Sequence, residues 1–255
     1  MRVTVCEISN DEAAHAGIWN ELQAHILRER SDLLLLPEFA FLPAVWDQQR
    51  SDPREWDRLM QQSQQILSRL PILNCKWVIG AAPAIEDGKH KNQGFAWSKG
   101  NGFQALRSKA YMPDEAGNWE RKWFEPGSTE FPAFIADSLC YGLNICTELW
   151  ALESIERYPT LGVQAVLTPR ATARDTTERW ITLGKTIAVR AGVFSFSSNR
   201  THADGSCGGA GWIINPEGSE LARTSATEPF ITKELDLTEA TRAQATYPRY
   251  VFTRT

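Results

Sequence analysis

Four consecutive leucines, Leu33 to Leu36, closed by Pro37, constrain the fold of this chain more than any other feature. An apolar run this short, ended by a residue that cannot donate to a sheet ladder, is the pattern of a strand covered on both faces. Packed layers must therefore lie on either side of it. The run follows a β-α opening: Arg2 to Ile8 alternates like a half-buried strand, and residues 12 to 30 hold helix formers with few breakers. No clean apolar stretch in the chain is longer than this one, far below the ~20 residues a membrane span needs. Met1-Arg2-Val3-Thr4-Val5 reads as a strand start rather than a signal peptide, so a soluble, cytoplasmic chain with no membrane partner is expected.

Of 255 residues, 42% are hydrophobic, enough for a sizeable core. No Pro/Gly/Ser-rich or charge-dense linker divides the chain, which predicts a single domain over residues 1–255. The 27 Lys and Arg against 31 Asp and Glu give a net charge of −4, with basic residues only in small clusters such as Arg121-Lys122, which argues against a nucleic-acid partner. The five cysteines are odd in number and lack C-x-x-C spacing, against both a disulfide framework and a zinc ribbon; free thiols fit a reducing compartment. The four histidines are scattered and offer no ligand set, so neither a metal nor a cofactor is expected.

Along the chain, residues 54–70 are predicted helical and residues 77–81, 93–98 and 103–109 extended, the last two joined by the hairpin signal Gly100-Asn101-Gly102. Tyr111 to Pro132, rich in Pro, Gly, Trp and charge, reads as a long functional loop. A strand ending at Cys146, a helix over 148–158, a strand over 163–167 and a helix over 176–191 follow. Strands at 193–197, 211–215 and 220–223 close the set, the last two turning at Pro216-Glu217-Gly218. Two halves that each mix strands, helices and hairpins predict an α/β fold of two sheets packed face to face with helices outside.

In such folds, functional side chains collect beyond the carboxyl ends of strands. Three candidates stand there: Glu38, Lys109 and Cys146. A helix predicted to start within two residues of Cys146 would favour its thiolate and offer backbone N–H groups to an oxyanion. The ordinary alternative is a small buried hydrophobe, the reading given to the other four cysteines. Glu38 would be a partly desolvated carboxylate suited to taking a proton from a thiol and returning it to a leaving amine, or else a loop glutamate. Lys109 shares its strand face with Phe103, Ala105 and Arg107, and a solvated lysine is the default. Glu120, in Trp119-Glu120-Arg121-Lys122-Trp123, passes equally as one member of a solvated charge cluster.

Two glycine motifs carry no chemistry. Gly184-Lys185-Thr186 lacks the glycine five positions earlier that a phosphate loop needs, Arg179 standing there instead. Gly205 to Gly211 leads into a strand rather than a helix and reads as a turn lining a pocket.

In chain order, Leu35-Leu36-Pro37-Glu38, Arg107 through Pro113 and Gly142-Leu143-Asn144-Ile145-Cys146 resemble the nitrilase (carbon-nitrogen hydrolase) superfamily, whose signature is the order Glu, Lys, Cys. Glu120 through Gly127, Ser198-Asn199-Arg200 and Gly211 through Gly218 extend the resemblance over nearly the whole chain. It implies a four-layer α-β-β-α sandwich of two mixed sheets, with Cys146 as nucleophile, Glu38 as general base, Lys109 as cationic stabiliser and Glu120 positioning substrate and water. The oxyanion would rest on Lys109 and the Thr147 N–H, where one donor can account for ~3 kcal/mol.

The expected activity is hydrolysis of a small linear amide to the acid and ammonia through a cysteine thioester. Alternatives are a nitrilase, an N-carbamoyl amide hydrolase and a non-catalytic thiol-based regulatory protein on the same fold. Cys146-Thr147-Glu148 shares a glutamate with the Cys-Trp-Glu of nitrilases but not the tryptophan. Arg170 is a candidate partner for an acidic substrate group or for a structural ion pair, and Trp119 and Trp150 are candidate pocket walls, with a core or interface role as the alternative. The resemblance also implies a homodimer or larger assembly, in which Tyr247 to Thr255 would pack on a neighbour.

Overall fold

The leucine run does what its pattern requires. In the computed structural model, which describes residues 1–252, Leu33 and Leu35 pack with Val3, Val5, Leu143, Phe194, Phe196 and Ile213, drawn from both halves of the chain. Leu34 and Leu36 face the other way, onto Trp19, Leu22 and Ile26. Period-two alternation of a wholly apolar strand thus supplies two cores at once.

The chain begins with β1 (Arg2–Ser9), α1 (His15–Glu29), β2 (Leu33–Glu38) and α2 (Pro53–Arg69). Asp52 caps α2 by accepting the Arg54 N–H at 2.8 Å, and Pro53 takes the first helical position, where no N–H is needed. Next come β3 (Trp77–Glu86), β4 (Lys89–Ser98), β5 (Gly102–Ser108) and a one-turn helix α3 (Glu120–Trp123). The second half holds β6 (Ala133–Ala136), β7 (Leu139–Leu143), α4 (Glu153–Thr160), β8 (Ala165–Arg170), α5 (Thr177–Ala191) and β9 (Phe194–Thr201). It closes with β10 (Trp212–Ile214), β11 (Glu220–Arg223), β12 (Phe230–Glu234) and α6 (Thr238–Gln244).

The result is an α/β fold with mixed pairing. Strands β3, β2, β1, β9, β8 and β7 run parallel to their neighbours, and the outer hairpins are antiparallel. The two halves are joined rather than separate. Val3–Val5 of β1 pair with β2 while Glu7–Ser9 pair with β9, which carries all twelve described strands on one hydrogen-bonded network. Helices α4 and α5 cover the second half through Ile155, Tyr158, Ile181 and Ile187, packed on Val166 and Trp212. In α5, Gly184 lies flat against Trp212, so the Gly184-Lys185-Thr186 sequence is a helix-packing site.

Several elements differ from the sequence expectation. The strands predicted at 77–81 and 93–98 extend to Glu86 and back from Lys89, around a two-residue Asp87-Gly88 turn with both φ angles positive. The helix predicted over 148–158 is a five-residue 3-10 turn, Cys146–Trp150, followed by the short α4. The strands β6 and β12 and the helix α6 were not anticipated. Residues 253–255 of the C-terminal segment lie outside the described residues.

Gly142 in β7 touches the ring of Tyr158, where a Cβ would sit 2.2 Å from the ring. Gly142→Ala is expected to destabilise the protein by about 1–3 kcal/mol through overpacking. A thermal melt should show Tm lower by several degrees; an unchanged Tm would mean that this contact is soft.

Candidate active site

Three strand ends and one loop converge. Glu38 ends β2, just past a register irregularity between Leu35 and Glu38 that turns the strand before Phe39 and Phe41 enter left-handed backbone. Lys109 follows β5, its N–H donating to the Asn92 carbonyl and its own carbonyl accepting from Gly127, both at 2.8 Å. Glu120 opens α3. Cys146 follows β7 with φ of 49°, a strained conformation for a residue with a Cβ.

The side chains meet in a buried cluster. The Lys109 ammonium donates to Glu38 Oε1 at 2.9 Å and to Glu120 Oε2 at 2.6 Å. Asn92 Nδ2 donates to the same two carboxylates, at 2.7 Å to Glu38 and 2.9 Å to Glu120. Two donors thus bridge two acids, with Lys109, Glu38, Glu120, Asn92 and Cys146 all removed from solvent.

That arrangement fixes the charges. Burial opposes the charge on Lys109, but the Glu120 and Glu38 carboxylates overcome it, and the ammonium is held well above its ordinary range. Burial lifts Glu120 from 4.5 to about 7, with Glu38 adding to the rise and Lys109 and Asn92 opposing it. Burial also raises the Cys146 thiol, and Glu38 raises it further against the pull of Lys109. The expectation that a helix terminus would favour the thiolate is therefore corrected. A five-residue 3-10 turn lacks the dipole of a full helix, and desolvation keeps the sulfur protonated at rest.

A second buried network holds the frame. The Glu148 carboxylate accepts from both terminal nitrogens of Arg107, from the Ala110 N–H at 2.7 Å and from the Ile145 N–H at 2.8 Å. One side chain thereby grips the residue after Lys109 and the residue before Cys146. Asn144 completes the turn, its Nδ2 donating to the Glu148 carbonyl and Ser154, and its Oδ1 accepting from Tyr158.

Residues 2–245 match the profile of the carbon-nitrogen hydrolase family. The chain belongs to that family. No curated protein matches it in sequence. Among solved structures, it is similar to a carbon-nitrogen hydrolase from Helicobacter pylori G27, with TM-score 0.84 and 19% identity over 100% of this chain and 95% of the other. It is also similar to an amidase from Nesterenkonia sp., with TM-score 0.77 and 17% identity over 98% of this chain and 95% of the other. A mutant of the Nesterenkonia sp. AN1 amidase, bearing acrylamide added at its active-site cysteine, matches with TM-score 0.76 and 17% identity over 100% and 98% of the two chains.

In this carbon-nitrogen hydrolase, the remaining sequence candidates fall in different places. Thr147 follows Cys146 in the 3-10 turn, half-buried. Trp119, half-buried, donates its backbone N–H to the Trp46 carbonyl beside Glu120. Trp150 is 49% exposed and packs edge-on against Trp180, outside the buried cluster. Arg170 is fully buried and makes no ion pair among the described residues; its nitrogens donate to Ser197, Thr172 and the Ala210 carbonyl, and its guanidinium lies 4.1 Å from the Trp212 ring. Asn92 and the Arg107–Glu148 pair escaped the sequence reading. The signal for Asn92 was Asp87-Gly88, which as a hairpin turn carries β4 back to Lys89. Among the described residues, no group of three His, Cys, Asp or Glu is placed to hold a metal ion.

The raised Glu120 has a thermodynamic consequence. Between 4.5 and about 7 the folded state holds a proton that the unfolded chain has released. Its contribution to stability is therefore complete at low pH and is lost as pH rises through 7. Denaturant midpoints measured from pH 4.5 to 8 are expected to show a shallower decline for Glu120→Gln than for the parent; superimposable curves would remove this titration from Glu120.

Proposed function

We propose that this chain is a thiol-dependent amidase that hydrolyses a small linear amide to its acid and ammonia. The carrying observation is the buried ammonium of Lys109 shared between Glu38 and Glu120, close enough to Cys146 for all three charges to act on the thiol. A protonated sulfur needs a base, and Glu38 takes that role. The proton passes from sulfur to Glu38 as sulfur bonds the amide carbon, and the oxyanion is stabilised by Lys109 and the Thr147 N–H. Collapse breaks the carbon–nitrogen bond, Glu38 returns the proton to nitrogen, and ammonia leaves a thioester on Cys146. Water, deprotonated by Glu38 and positioned with help from Glu120, attacks the thioester and frees the acid and the thiol. The amidase from Nesterenkonia sp., with an active-site cysteine on a similar fold, supports this reading.

The same proposal includes a single domain with a four-layer α-β-β-α arrangement, supported by one core between the strands of the two halves and one beneath the helices of each half. A cytoplasmic setting is supported by the five free thiols. Self-association is supported by a cavity of about 920 Å³ beside α5, bordered by the exposed apolar residues Val189, Tyr247 and Phe252. Light scattering is expected to give a dimer or larger, and a monomer at all concentrations would remove that part.

Ammonia release from a panel of short amides tests the chemistry. Cys146→Ala is expected to reduce it to background and Glu38→Gln to lower kcat by about 10²–10⁴-fold. Turnover that survives Cys146→Ala would overturn the mechanism, and release from nitriles alone would replace the substrate class.

A further inference from the structure

Four arginines are buried among the described residues, and three have all they need. Arg107 is paired with Glu148 and Arg249 with Glu217. Arg170 has no ion pair, but each of its three nitrogens donates within the protein. Arg200 is different. Its Nε donates to Asn10 Oδ1 and its Nη2 to the Leu42 carbonyl, while Nη1 is buried without a partner.

Both bonds use the Nε/Nη2 edge of the planar fork, which anchors the guanidinium and leaves Nη1 directed away from that edge. A buried guanidinium without an ion-pair partner is costly to desolvate. Burial indeed lowers Arg200 to about 10, even with the charges of Cys207 and Glu38 acting in its favour.

The position of Arg200 relates it to the site. It lies near the end of β9, in register with Ile8 of β1, and close enough to Glu38 to feel its charge. The ring of Trp46 stands 5.4 Å from its guanidinium carbon. The same ring packs edge-on at 5.4 Å against Phe39, the neighbour of Glu38. The Trp46 carbonyl accepts at 2.6 Å from the N–H of Trp119, the neighbour of Glu120. Trp46 therefore links the arginine to the residues flanking both carboxylates.

We propose that Arg200 Nη1, beside the face of Trp46, binds a carboxylate at the far end of the substrate, so that the amide is carried by a short carboxylic acid. A carboxylate fits better than a neutral carbonyl because it supplies both the missing acceptor and the missing counter-charge, and charge-assisted bonds are about twice as strong as neutral ones. The proposal gives an arginine at the end of the next strand the kind of acid-binding role that the sequence offered as one alternative for Arg170. The inference rests on the amidase reading for its substrate, but the carboxylate site can be tested without turnover.

The binding test uses succinate and butyrate, which differ by one carboxylate, titrated calorimetrically into the parent protein and into Arg200→Gln. The parent is expected to bind succinate about thirtyfold or more tightly than butyrate, and Arg200→Gln to lose that margin. In turnover, the ratio of kcat/KM for succinamate over butyramide is expected to fall by a similar factor in Arg200→Gln, mainly through KM. Equal affinity of the parent for the two acids, or a selectivity ratio unchanged by Arg200→Gln, would overturn the inference. Succinate binding that depends on Arg200 in a protein that hydrolyses neither amide would sustain the carboxylate site and overturn the amidase reading instead.

Discussion

The Lys109 ammonium lies 2.9 Å from Glu38 and 2.6 Å from Glu120, and three ionisable groups so deeply buried are tolerable only while they neutralise one another. Two acids cannot both be fully charged beside one base without an excess of negative charge. The rise of Glu120 toward neutrality relieves that excess. Asn92 adds a neutral donor to each acid and so spreads the charge without changing the count. The electrostatics of the cluster thus give Glu120 a character unlike that of a solvated glutamate.

Holding such a cluster demands a rigid frame, and the frame is largely backbone. Lys109 is fixed between β4 and the Gly127 loop by its own N–H and carbonyl. Cys146 is fixed because its neighbour Ile145 donates to Glu148, whose carboxylate also grips Ala110 and Arg107. Breaking a fully buried ion pair of this kind typically costs about 3–5 kcal/mol, because the remaining charge has no water to turn to. Rigidity here also preserves the unfavourable φ of Cys146, which a looser turn would relax.

The three strand-end residues are readable from the sequence because each stands at the end of a segment with a strand pattern, which needs no knowledge of the fold. Asn92 is not, since Lys89-His90-Lys91-Asn92 is polar throughout and becomes a strand only by pairing with β3. Arg107 and Glu148 stand 41 positions apart, and no local pattern joins them. Strand β12 fails for a related reason, its Thr232-Lys233-Glu234 half being half-buried or exposed and held by the backbone of β1. The surroundings of Arg170 were equally hidden from the sequence. A cation after a strand invites a functional reading, yet the hydroxyls and carbonyl that occupy it come from β9 and from the loops that follow β8 and β9.

The divided pairing of β1 bears on how the chain assembles. This strand pairs with β2 about thirty residues further on, with Asn199–Thr201 far later and with Phe230–Glu234 later still. Closing contacts over such separations slows folding, and until the last partner arrives one edge of β1 stays open to unwanted strands. A chain truncated before Phe230 therefore possesses every residue of the buried Glu–Lys–Cys cluster and still leaves the sheet that carries it with an unpaired edge along β1.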